Sequence, residues 1–115
     1  MVTYDLSRDV VTAREGEDVV GSATLDPDGT VTVVVSADHR GRGVGSELFL
    51  ATARLARSLG RQDVVLAAPA EDRGTMAMLA SLGLRGLARL DGDVLRVRVS
   101  VSGVRPVDPG TQLPA

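Results

Sequence analysis

Apolar and polar positions alternate along the first third of the chain, and then the period changes. Asp9 to Arg14 predicts a short strand, Glu15-Gly16-Glu17 a turn, and Val19 to Leu25 a second strand. Asp26-Pro27-Asp28-Gly29 carries the residues of a type I turn in the right order. Thr30 to Val35 is β-branched throughout and predicts a third, well buried strand. These three strands are expected to form an antiparallel meander. From Val44 the period becomes helical: Val44, Leu48, Ala51, Leu55 and Leu59 share one face, Glu47, Arg54 and Arg57 lie off it, and Gly60 stops the helix. Val64 to Ala68 is a short apolar run ended by Pro69, which suits a buried strand parallel to the third. Asp72 can cap a second helix with Met76, Leu79 and Leu82 inward and Gly83 at its end. Leu84 to Leu90 and Val94 to Val101 alternate around the hairpin signal Asp91-Gly92. The expected order is β-β-β-α-β-α-β-β, a single-domain mixed α/β sheet over residues 1–101. Residues 102–115, with three prolines and two glycines, read as a flexible C-terminal tail.

Composition narrows the chemistry. A chain of 115 residues suits one core. Tyr4 and Phe49 are its only aromatic residues, so the core must be aliphatic and base stacking has no platform. Net charge is −2, which gives no global field toward nucleic acid. With no cysteine and one histidine, disulfides, a thiolate nucleophile and a histidine-rich metal site are excluded, and no metal is expected. No apolar run reaches membrane-span length and no signal peptide opens the chain, so a soluble cytoplasmic protein is expected. All thirteen basic residues are arginine. A Walker A loop needs its lysine, so the glycine-rich stretch cannot be one.

That stretch, His39-Arg-Gly-Arg-Gly-Val-Gly-Ser46, stands between the third strand and the first helix. Gly41, Gly43 and Gly45 let a ligand approach the main chain, and the helix N-terminus points free N–H groups and a positive dipole end at the same place. Arg40 and Arg42 add charge suited to a pyrophosphate. A solvated loop with ordinary helix capping accounts for the same residues. A dinucleotide-binding loop fits poorly, because its third glycine would fall at Ser46 and its loop follows the first strand of a βαβ unit.

Arg40-Gly-Arg-Gly-Val-Gly45, placed after a β-branched strand and before an amphipathic helix, resembles the acyl-CoA pyrophosphate loop of the GNAT N-acetyltransferase superfamily. Arg40, Gly43 and Gly45 fill its motif. Residues 71–84, Glu-Asp-Arg-Gly-Thr-Met-Ala-Met-Leu-Ala-Ser-Leu-Gly-Leu, look like the family's last helix and its closing L-G-F. Thr3-Tyr4-Asp5, residues 71–84 and the final hairpin look closest to the GNAT domains of bacterial protein lysine acetyltransferases. The resemblance implies acetyl-CoA as cosubstrate. It implies Val33, Val34 and Val35 beside the pantetheine arm and Gly41, Arg42, Gly43, Val44, Gly45 and Ser46 around the pyrophosphate. Asp72 would lie near the thiol end, and Arg73 could reach a phosphate.

Two departures accompany the resemblance. Only eight residues precede Asp9, where the family has a strand and one or two helices walling the acceptor site. The acceptor side is then open or completed by a partner, and newly exposed apolar surface would favour a homodimer. The family's acid and base positions fall on Leu79, close to Thr30, and on Ala67, none of which moves protons. His39 and Asp38 are weak stand-ins, with packing under the loop and a solvated turn as their bland roles. An enzyme without a base should favour α-amines, of pKa about 7.7–8.0, over lysine amines near 10.4. The expectation is therefore acetyl transfer to an amine of a small molecule or a protein. The alternative is a weak or inactive acyl-CoA-binding sensor or partner subunit.

Overall fold

The computed structural model describes residues 2–71 and 73–105, and of Arg73 only the backbone. Its elements are β1 (Val2–Ser7), β2 (Val10–Glu15), β3 (Asp18–Leu25), β4 (Thr30–Val35), α1 (Val44–Ser58), β5 (Asp63–Pro69), α2 (Arg73–Ser81), β6 (Gly86–Asp91) and β7 (Val94–Ser100). The strands form one sheet in the order β1-β2-β3-β4-β5-β7-β6.

The expected order therefore lacked one strand. In Val-Thr-Tyr-Asp-Leu-Ser, Val2, Tyr4 and Leu6 sit at alternate positions, and the segment pairs antiparallel with β2 from Val2↔Glu15 to Ser7↔Val10. The turn between them is the pair Arg8-Asp9, with Arg8 in the left-handed region at φ 55°. The β3–β4 turn is as the sequence predicts: the Gly29 amide donates to the Asp26 carbonyl at 2.9 Å. In the last hairpin Asp91 pairs with Val94, so the turn residues are Gly92-Asp93, one place later than expected.

Both helices pack on the same face of the sheet. Phe49, Ala53 and Ala56 of α1 and Leu79 of α2 share a core with Val31, Val64, Leu66, Val97 and Val99. A second cluster joins Val44 and Leu48 to Val11, Ala13, Val20 and Ala23. Leu48 and Phe49 are fully buried, each contributing about 1.5–3 kcal/mol by burial. Gly21 lets α1 come this close, since a β-carbon there would stand 2.9 Å from the Val34 carbonyl oxygen and 3.0 Å from Leu48. The buried stripe of α1 also takes in Thr52, whose hydroxyl donates to the Leu48 carbonyl at 2.8 Å.

Two residues that periodicity puts inside lie elsewhere, and one strand is less covered than expected. Leu59 is exposed because α1 ends at Ser58, beyond the sheet. Met76 is exposed on α2, while Leu79 is buried. β4 is only half buried, with Val31 inside and Thr32 and Val34 in the open, because no helix covers the other face among the described residues. Val104, expected in the tail, belongs to the core, and its amide donates to the Val101 carbonyl at 3.0 Å. The rest of that expected tail, 106–115, lies outside the described residues. No helix among the described residues is long and apolar enough to cross a membrane.

Candidate functional site

The sheet is split at its centre. β4 and β5 pair in parallel only at Thr30↔Val65 and Val31↔Leu66. Beyond these pairs the two strands part. On its other edge β4 stays paired with β3 as far as Gly21↔Val35. The β5-facing edge of Val33 and Val35 thus has no strand partner, and the Val35 carbonyl receives only a long 3.4 Å bond from Arg40 Nε. Unpaired extended backbone is a template for an extended ligand.

A groove of about 880 Å³ occupies the parting. One wall is β4 and the loop after it: Val33, Val34, Val35, Arg40, Gly41, Gly43, Gly45 and Ser46. The other is the end of β5, with Ala67, Pro69 and Glu71, and the groove-side residues of α2, among them Thr75, Met78 and Ser81. The groove runs through the sheet. Val33, Val35 and Leu66 point to the helix side, whereas Val34 and Ala67 belong to the open face. One mouth lies between the two helices and the other opens on the bare face.

The loop is built by backbone. Ala37–His39 form a single 3-10 turn, after which Gly41 and Gly43 take φ of 75° and 83°. That left-handed region is costly for other residues. A β-carbon at Gly41 or Gly43 would meet nothing within 4 Å, so the glycines also leave space in front of the main chain. Gly43 starts α1 with no side-chain cap, which leaves the first amides of a fifteen-residue helix to an outside acceptor. Arg42 is exposed beside this loop, and the Val44 side chain is buried in the core rather than turned to the groove.

His39 ties the loop down. Its Nδ1 lies 2.8 Å from Ser36 Oγ and its Nε2 lies 2.8 Å from Glu15 Oε2 on β2. In the neutral ring Nε2–H donates to the carboxylate and the serine hydroxyl donates to Nδ1. The His39 hydrogen bond, then its charge and more weakly Arg42, hold the Glu15 carboxyl below its ordinary range. The ring and Asp38 are absent from the groove lining, so neither is placed to exchange protons with a groove-bound group. Tyr4 is absent from it as well, and partial burial, then the nearby Glu47, push its phenol above its usual pKa.

The family acid and base positions fall as follows. Thr30 stands at the opposite end of β4, its amide held by Asp28 Oδ1 at 2.9 Å, and does not line the groove. Leu79 packs in the core at 2% exposure, and Met78 takes the groove side. Ala67 does line it. The groove's carboxylate is Glu71, which the sequence reading missed. Its only local signal was an acid two residues after the strand-ending Pro69. Asp72 lies outside the described residues. Among those described, no group of three or more histidine, cysteine or acidic residues could hold a metal.

The residues fit an acyl-CoA: unpaired strand backbone for an extended amide arm, and an uncapped helix end with glycines and Arg40 for a diphosphate. A parted parallel strand pair leading to such a loop gives one continuous site for both parts of that ligand. The model of the acetyltransferase (GNAT) family matches residues 3–84, and the chain belongs to that family. By class it is therefore a GNAT acetyltransferase domain.

Solved structures share the fold at low identity. yncA from Salmonella typhimurium, solved with acetyl-CoA, is 20% identical at a TM-score of 0.64, over 92% of this chain and 68% of that one. The IAA acetyltransferase of Bacillus cereus gives 15% and 0.61, over 79% and 75% of the two chains. The GNAT domain of S. lividans PAT gives 18% and 0.63, over 79% and 59%. No curated protein matches the sequence.

Proposed function

We propose that the protein moves the acetyl group of acetyl-CoA to an amine that enters the groove from the open face, in the cytoplasm. The observation that carries this is the groove itself: a slot through the sheet with an anion loop at the helix-side mouth. In this reading Val33 to Val35 align the pantetheine arm through their backbone, and Gly41 to Ser46 with Arg40 and Arg42 hold the diphosphate. Asp72 near the thiol end and Arg73 toward a phosphate belong to the same proposal. The amine nitrogen attacks the thioester carbonyl carbon; a C–N bond forms, the C–S bond breaks, and the sulfur leaves as the CoA thiol with the amine's proton. Glu71 is the described lining carboxylate able to hold the acceptor as an ammonium and take the extra proton that it sheds to become the attacking amine. Holding the two reactants in one slot can supply about 7–11 kcal/mol of the barrier.

A homodimer remains part of the proposal, on a different basis from the one expected. The uncovered face is mixed, with Thr12, Thr24 and Thr32 beside Val10 and the exposed Val34. Leu90, exposed on the opposite face of the last hairpin from Leu87, is an apolar residue available to join two copies, and sedimentation at micromolar concentration reads the outcome.

A second reading, acyl-CoA binding without turnover, is favoured by the groove's lining, which holds no tyrosine, histidine or cysteine among the described residues. Calorimetry with acetyl-CoA, followed by thiol release with α-amine and lysine acceptors, separates the two. Binding with release supports transfer, binding without release supports the second reading, and no binding removes both.

A further inference from the structure

The open face is not uniform. Over β2, β3 and β4 it carries hydroxyls in the pairs Thr12↔Ser22 and Thr24↔Thr32, beside Val10 and Val34. Among the described residues its one ion pair on this side, Arg14 of β2 with Asp5 of β1 at 3.4 Å, is self-contained. Over β7 and β6 the same face carries Arg96, Arg98 and Arg89. Arg96 stands opposite Ala67 and Arg98 opposite Val65, while Arg89 stands directly opposite Arg96. Ala67 lines the groove, so this cluster lies within one to two strand spacings, about 5–10 Å, of the groove's second mouth.

Two like charges directly opposed on neighbouring strands are unfavourable. Asp91 relieves this only in part, at 3.6 Å from Arg96. Arg89 and Arg98 form no ion pair among the described residues, and Asp63, on the same face at the far end of β5, reaches neither. Wetting the sheet does not require this arrangement, since threonine does it on the other strands. All three arginines are exposed. Arg98 and Leu87 border an open concavity of about 430 Å³ that also takes in Arg85, Asp63 and Ser100, and an extended chain segment could run from it across Arg96 and Arg89. Exposed Leu87, beside Arg89 on the strand and opposite Arg98, gives that segment an apolar contact.

We propose that Arg89, Arg96 and Arg98 dock an acidic segment of a protein acceptor, so that the amine entering the groove is one flanked by carboxylates. The proposal rests on the transfer reading above and names its acceptor class. It predicts an electrostatic preference that falls with salt.

The test uses three fluorescein-labelled peptides that share a free α-amine and a central lysine and differ only in their flanks: aspartate and glutamate, serine and glutamine, or arginine. Fluorescence anisotropy on the intact protein, with CoA present, reads docking. The acidic peptide should bind at least about tenfold more tightly than the neutral one. Raising salt from about 50 to 300 mM should erase most of that difference. Arg89→Ser/Arg96→Ser/Arg98→Ser should remove it while leaving acetyl-CoA affinity unchanged. Should that variant unfold, the single Arg98→Glu change should weaken the acidic peptide and strengthen the basic one. Equal binding of acidic and neutral peptides overturns the proposal, as does a preference that survives the substitutions. Self-association that the triple variant abolishes overturns it too, by assigning the face to a second copy. Acetylation is read separately: docking without transfer keeps this surface and removes the transfer reading, and transfer without acidic preference does the reverse.

Discussion

Along β4 the groove meets main chain, and along β5 and α2 it meets side chains. The first wall consists of unpaired strand backbone and a loop held at positive φ, and it would accept any ligand with amide groups and a diphosphate. The second presents alanine, proline, threonine, methionine and one glutamate, so whatever chemical selectivity it has depends on few atoms. A main-chain wall tolerates wide sequence change so long as its glycines stay, whereas a side-chain wall can gain or lose a catalytic group by one substitution.

The largest effect should follow from breaking the main-chain wall. Gly43→Glu puts a β-carbon at φ 83° and a negative charge where a diphosphate belongs. Acetyl-CoA affinity should fall more than about 100-fold by calorimetry, with fold strain of only about 1–3 kcal/mol. Unchanged affinity would remove the loop from the site. On the other wall, Glu71→Gln should lower kcat by about 10- to 100-fold and leave the acetyl-CoA Kd alone. If kcat holds, that wall carries no proton and the slot works by positioning.

Leu79→Tyr sharpens the contrast further. A tyrosine there restores the family's acid in sequence, but Leu79 is 2% exposed within the core. Denaturant titration should show a loss of about 1–3 kcal/mol from overpacking, with no gain in rate. A rise in rate would mean that this helix turn reaches the groove after all. Next in size, His39→Ala should weaken acetyl-CoA binding about three- to tenfold, because the ring's two 2.8 Å bonds link the loop to β2. His39→Asn should recover part of that loss.

The smallest effect concerns pH. Glu15 has a depressed folded-state pKa, chiefly through the His39 hydrogen bond. A depressed carboxylate adds stability above its unfolded pKa and loses it as pH falls through the folded value. The wild type should therefore lose stability in acid, below the ordinary carboxylate range, that Glu15→Gln never had. Because the carboxylate is exposed, the difference in Tm between pH 7 and pH 3 should not exceed about 2 °C. Equal acid profiles would show that the bridge adds nothing to the fold.

The contrast between the walls also explains what the chain disclosed as a sequence. The loop was legible because each of its features is local: a glycine for each positive φ, arginines beside them, and a helical period beginning at Val44. Strand β1 was equally local, in the alternation of Val2, Tyr4 and Leu6, and was overlooked because the polar pair Arg8-Asp9 conceals a tight turn. Glu71 was not legible in this way. Its place on the groove depends on β5 leaving β4 after Val31↔Leu66, a separation that nothing near residue 71 encodes. Periodicity likewise put Leu59 and Met76 inside, because it cannot say where a helix outruns the sheet it packs on. The arginine cluster is non-local in the same sense: residues 89, 96 and 98 become neighbours only through the hairpin register.

Amide hydrogen exchange of the wild-type protein with and without acetyl-CoA tests the central claim most directly, because it reads the main-chain wall itself. The account predicts new protection confined to the peptides carrying Val33 to Val35 and Gly41 to Ser46, with the β6–β7 hairpin unchanged until an acceptor is added. Protection that appears elsewhere, or none at saturating acetyl-CoA, would contradict it.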